Sequence, residues 1–146
     1  MNVQTKYLGE LTIDREKVIQ FPTGLPGFIE ETKFVLLDLP ENPVFQVLQS
    51  IHTKDVAFIV TNPYHFYQSY TFELDDSIID PLAIKDSKDV VVLSIVTLKQ
   101  PFENSTLNLK APIIINAANQ FGKQYILNID DYPSKASIAP KVKGES

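Results

Sequence analysis

The chain has 146 residues, 44% of them hydrophobic and 21% charged, with no cysteine and a net charge of −5. That is enough chain for one domain with a proper core, and it excludes disulfides and thiolate metal sites. Lys135, Lys141, Lys143 and Glu145 give residues 133–146 a net +2, which leaves −7 on the rest. A body of that sign repels nucleic acid and suits a basic protein partner. The absence of a basic start followed by an apolar run, and of any long uncharged stretch, implies a cytoplasmic chain with no membrane segment.

Taken in order, Val3, Thr5 and Tyr7 share one side of a predicted strand, Gly9-Glu10 breaks it, and Leu11 to Ile13 resumes. Val18 to Phe21 is a short strand leading into Phe21-Pro22-Thr23-Gly24-Leu25-Pro26-Gly27-Phe28. Two prolines fix φ and donate no hydrogen bond, and two glycines accept φ > 0, so these residues form a rigid double turn. Turns are usually polar, and this one carries Phe21, Leu25 and Phe28. Either all three plug the core, or at least one is held outward as a contact. Leu25, at the tip between Gly24 and Pro26, is the candidate for the outward role.

Ile29 to Lys33 is read as one helical turn. Phe34 to Leu39 is a strand stopped by Pro40 and Pro43. Val44 to Ser50 and Val56 to Thr61 form a hairpin ended by Asn62-Pro63. After the aromatic run 64–70, Thr71 to Leu74 is a short strand. Asp75 to Ile84 is the one helical stretch, capped by Asp75 or Asp76, with Ile78, Ile79 and Leu82 inward and Pro81 limiting its length. Val90 to Leu98 is a β-branched strand buried on both faces. Thr106 to Lys110 alternates, with Leu107 and Leu109 inward. Ile113 to Ile115 continues it, Asn119 to Gly122 turns, and Lys123 to Ile129 returns. Residues 133–146 are read as a flexible tail beyond a domain of residues 1–132. Eight to ten short strands with at most one or two short helices predict an all-β, antiparallel, barrel-like domain rich in Gly/Pro turns. Closure removes the exposed edges.

Catalytic equipment is not visible. His52 and His65 lack further ligands at metal-binding spacing. No serine sits in a nucleophile elbow, and the Gly24–Gly27 turn lacks the lysine and serine of a phosphate loop. Asp75-Asp76 and Asp130-Asp131 are adjacent acids that point apart on a strand or cap a helix. The aromatic run could stack bases but has no basic groove beside it.

Several blocks in order carry a family resemblance: Ile19 to Phe28, Phe34 and Leu36, Phe45 to Ser50, Ile95 to Thr97, Asn108 to Asn116, Gly122 to Leu127, and Tyr132. Together they resemble the FliW family of flagellar assembly factors, in its Gram-positive branch. The resemblance implies a cytoplasmic, non-enzymatic β-barrel protein without cofactor, a monomer when free. Its implied partners are newly made flagellin and CsrA, an RNA-binding repressor of flagellin translation that FliW antagonises away from its RNA face. The resemblance transfers no catalytic residue. By motif position, the partner-binding candidates are Phe21, Pro22, Gly24, Leu25, Pro26, Gly27 and Phe28, with the outward polar residues Gln46, Ser50, Asn108 and Lys110. Each of these four could equally serve hydrogen bonds inside the barrel. The alternatives are an acid-pair enzyme, which requires carboxylates converging in a pocket, and a barrel that binds an oligonucleotide or carbohydrate, which requires a basic or aromatic groove.

Overall fold

A computed structural model describes residues 1–138. Eleven strands and one short α-helix follow one another: β1 Asn2–Gln4, β2 Glu10–Thr12, β3 Ile19–Gln20, β4 Lys33–Asp38, β5 Phe45–Ser50, β6 Ala57–Thr61, α1 Asp76–Leu82, β7 Val90–Thr97, β8 Thr106–Leu107, β9 Ile113–Asn116, β10 Phe121–Gln124 and β11 Ala136–Ser137. The pairings β7–β6–β5–β4–β3–β10–β9 return to β7 and close a circuit of seven strands. All are antiparallel except β3 with β10, which meet at Gln20 and Phe121. The domain is therefore the all-β barrel that the strand pattern implies.

Closure gives each wall strand two faces to bury, which is why several read as nearly continuous apolar runs. Phe34, Leu48, Val60, Leu93, Ile113 and Ile115 point into the barrel with Ile19, Phe21 and Leu25. The intervening residues point outward and are covered in three patches. The β1–β2 hairpin and its neighbours place Leu8, Leu11 and Ile13 over Val35, Leu37 and Val47. The helix lays Ile78 and Leu82 on Ile114. Tyr70, Leu107, Leu109 and Ile138 gather around Phe45 and Val96. Asp75 caps α1 by accepting from the Ser77 amide at 3.0 Å, and the helix stops at Ala83 with φ +51°.

Four expectations change. Val3 and Thr5 face inward, but Tyr7 is 49% exposed because the chain has already turned toward Gly9. Ile29 to Glu31 make a turn without helix, and Lys33 opens β4. Thr71 to Leu74 form no strand, since the Thr71 amide donates to the Tyr132 hydroxyl at 3.0 Å instead of to a neighbouring strand. Phe121 and Gly122 belong to β10, one step after the turn assigned to them. Part of the stretch expected to be tail belongs to the barrel. Ala136 and Ser137 pair with β8, and Ala136 and Ile138 are 5% and 3% exposed, so apolar burial ties this stretch to the barrel. The rest of the expected tail, residues 139–146, lies outside the described residues.

Candidate functional site

The stretch from Phe21 to Phe28 is two successive β-turns. The Gly24 amide donates to the Phe21 carbonyl at 2.7 Å, with Pro22 and Thr23 between them. Leu25 and Phe28 then exchange both backbone bonds, at 2.7 and 3.3 Å, around Pro26-Gly27. Proline in the second position and glycine in the third, here at φ +84°, is the type II pattern. Gly24 also has positive φ, +67°, and a Cβ there would lie 2.5 Å from the Ile29 carbonyl oxygen. Each proline and glycine in the motif thus has a backbone duty or is compatible with one.

The side chains divide between core and surface. Phe21 and Leu25 are 0% and 2% exposed and belong to the barrel-interior cluster. This corrects the outward assignment of Leu25. The tip of the type II turn is Pro26-Gly27, so Leu25 stands at the turn's base, bridged to Phe28, and its side chain packs into the barrel interior. The outward apolar residues are Phe28, 40% exposed, and Ile29, 72% exposed. Phe28 rests edge-on against Phe58 at 5.5 Å. Pro22, Pro26 and Gly27 are exposed around them. Ile29 and Phe58 escaped the sequence reading. Ile29 precedes Glu30-Glu31 and reads as the inner side of a helical turn, whereas Phe58 reads as one more apolar residue of a hairpin.

The turn is anchored on its far side by a carboxylate. Glu31 accepts hydrogen bonds from the Ser50 hydroxyl at 2.5 Å and from the Thr53 hydroxyl at 2.7 Å. The Ser50 oxygen accepts in turn from the His52 and Thr53 amides. The bond from Ser50, and then that from Thr53, holds the Glu31 carboxyl below the usual carboxylate range. A depressed folded pKa adds stability that is fully present above the ordinary value and fades as pH falls through the folded one. Glu31→Gln is therefore expected to melt below the wild type at neutral pH, and the gap should narrow as pH falls below the ordinary glutamate value of about 4.3. Thermal melts of both proteins across that range check this.

The remaining candidates hold the barrel together. Ser50 is fully buried in the Glu31 clamp. Gln46, partly exposed, donates to Asp38 across the β4–β5 pair at 2.9 Å. Asn108 accepts from the Lys110 and Ala111 amides, both at 3.0 Å, and shapes the connection between β8 and β9. The Lys110 ammonium donates to the Ile129 carbonyl at 2.7 Å and lies 3.5 Å from Asp130. Phe21, Leu25 and Ser50 are thus closed to a partner of the folded chain. Among the described residues no group of three or more histidine, aspartate or glutamate side chains could hold a metal ion, and no helix is long and apolar enough to cross a membrane.

Fold and turn together define an all-β barrel protein that offers solvent a preformed apolar turn beside an acidic body. The comparisons with known proteins narrow this. The model of the FliW protein family matches residues 2–138. The flagellar assembly factor FliW of Oceanobacillus iheyensis is 56% identical over 144 residues, 98% of each chain. That of Bacillus subtilis is 44% identical over 138 residues, 94% of this chain and 96% of its own. A crystal structure of the flagellar assembly factor FliW superposes with a TM-score of 0.91 at 37% identity, covering 97% of this chain and 99% of that one. The chain belongs to the FliW family.

Proposed function

We propose that this protein is a cytoplasmic, non-enzymatic flagellar assembly factor that binds newly made flagellin through the exposed part of its double turn. When free of flagellin it binds and antagonises CsrA, which relieves repression of flagellin translation. The observation that carries the flagellin reading is the pair Phe28 and Ile29, exposed on a backbone locked by two prolines and two glycines. An amphipathic segment needs a preformed apolar acceptor, and a rigid one limits the ordering cost of binding. The CsrA reading is supported by the net charge of −5, since RNA-binding proteins present basic surfaces. The same charge, with Arg15 as the single arginine, opposes an oligonucleotide ligand.

The test is Ile29→Ser, alone and with Phe28→Ser, titrated with monomeric flagellin by calorimetry. Loss of one to two exposed apolar contacts is expected to weaken flagellin binding about 10- to 100-fold, or roughly 1.5–3 kcal/mol. Ile29→Ser leaves the melting temperature within a degree or two, because Ile29 is mostly in water already. Unchanged flagellin affinity in the double variant would remove the turn from the interface. Unchanged CsrA affinity in the same variants is expected, because neither substitution alters the acidic charge on which that reading rests.

A further inference from the structure

A second surface stands on the outer wall, away from the turn. The segment that follows β10 forms one side of an open furrow lined chiefly by Phe72, Glu73, Asp75, Tyr125, Leu127 and Ile129. Its aromatic floor is fixed: Phe72 and Tyr125 lie 6.2 Å apart, and the Tyr125 hydroxyl donates to the Glu73 carbonyl at 3.3 Å. Ile129 is 41% exposed and the neighbouring Ile126 is 60% exposed. Ile129 lines the furrow, whereas Ile126 alternates with Tyr125 and Leu127 on the extended segment and stands outside it.

The backbone here is half used. The Tyr125 and Leu127 amides donate to the Pro112 and Lys110 carbonyls, both at 2.8 Å, which holds the segment extended along the barrel. The alternate amides, of Ile126 and Asn128, donate to no protein group among the described residues. Such a row of free groups can take up an extended chain by strand addition.

The charge around the furrow is one-sided. Glu73 and Asp75 line it, and Asp130 and Asp131 follow Ile129 in the chain. Lys110 is the cation at hand, and its ammonium is taken by Asp130 and the Ile129 carbonyl. Lys123 sits on β10, half-buried. Glu73, Asp75 and Asp131 form no ion pair among the described residues. The geometry points to this furrow as a docking surface for an extended segment of a protein partner that alternates apolar residues with Lys or Arg. The apolar side chains lie over Tyr125 and Ile129, with Leu127 buried beneath them, the cations meet the acidic rim, and the segment's carbonyls accept from the Ile126 and Asn128 amides. The acidic rim disfavours nucleic acid, and also a second copy of the same face. The inference does not rest on the flagellin reading, because the furrow is built on the cluster under α1 and the turn on the barrel interior.

The probe is a fluorescent Lys-Val-Lys-Val-Lys-Val peptide, followed by anisotropy against the full chain, with Glu-Val-Glu-Val-Glu-Val as control. Saturable binding of the cationic peptide alone is expected, weakened about tenfold between low and roughly 0.3 M salt. Asp131→Lys, whose side chain holds no structural bond, is expected to weaken it severalfold, and Asp130→Lys with Asp131→Lys about tenfold. Ile129→Ser weakens it at all salt concentrations, whereas Ile29→Ser leaves it unchanged. Equal affinity in the charge-reversed and Ile129→Ser variants, or no binding at about millimolar protein, overturns the proposal. So does a concentration-dependent dimer that Ile129→Ser dissolves, which would assign the face to a second copy.

Discussion

Leu25→Ser is expected to lower the free energy of unfolding by about 3–5 kcal/mol and to leave flagellin affinity of the folded protein unchanged. Leu25 is 2% exposed and packs with Phe21, Phe34 and their neighbours inside the barrel. Serine removes most of that contact, leaves a cavity against side chains held by a closed wall, and puts a hydroxyl into an apolar cluster. The turn's own hydrogen bonds do not compensate, because they are backbone bonds already made by Leu25 and Phe28. Denaturant melts give the stability, and titration of the variant well below its melting temperature gives the affinity. A stable Leu25→Ser protein with weakened flagellin binding would return Leu25 to the surface and undo the division of the turn drawn above.

Gly24→Ala should be at least as damaging, at about 3 kcal/mol or more, for two reasons that act at one atom. At φ +67° an L side chain is strained wherever it points. Here it also points at backbone: the new Cβ would sit 2.5 Å from the Ile29 carbonyl oxygen and 2.6 Å from its carbon. A flexible side chain could swing aside, but this carbonyl cannot move without dragging the exposed residues Phe28 and Ile29 with it. Gly24→Ala is therefore expected to lower both the melting temperature and flagellin affinity. The contrast comes from Gly27→Ala, where φ is +84° but nothing lies within 4 Å of the added Cβ. That variant should pay for backbone strain alone, about 1 kcal/mol. Equal losses at both positions would show that the close approach to Ile29 is not what makes Gly24 necessary.

Much of the barrel was legible in the residues. Strand runs that could bury both faces, such as Phe34-Val35-Leu36-Leu37, demand cover on both sides, and closure with an outer layer supplies it. Asp75, a short apolar stripe and Pro81 defined the single helix within two residues of its observed ends. Prolines and glycines located the double turn, because their backbone limits are local properties. Two of the errors share a cause. Thr71 to Leu74 have strand-like composition, yet the Tyr132 hydroxyl takes the Thr71 amide, and no local pattern announces a partner 61 residues away. Residues 136–138 looked like part of a polar tail, yet a short pairing with β8 and a pocket for Ile138 hold them.

The site divides the same way. By itself the sequence determined that residues 21–28 form a rigid, apolar, doubly turned stretch, since φ limits at Pro22, Gly24, Pro26 and Gly27 need no tertiary contact to act. It also determined the acidic surplus, which is a matter of counting. Only the tertiary structure decided which apolar residues of the turn face water. Phe21, Leu25, Phe28 and Ile29 are equally hydrophobic on paper. Their division into two buried and two exposed follows from the barrel end beneath them, which has room for Phe21 beside Gly122, where a Cβ would lie 2.7 Å from its ring, and for Leu25. Glu31 holds the far side of the turn through Ser50 and Thr53, residues 19 and more positions along the chain that only folding brings to it.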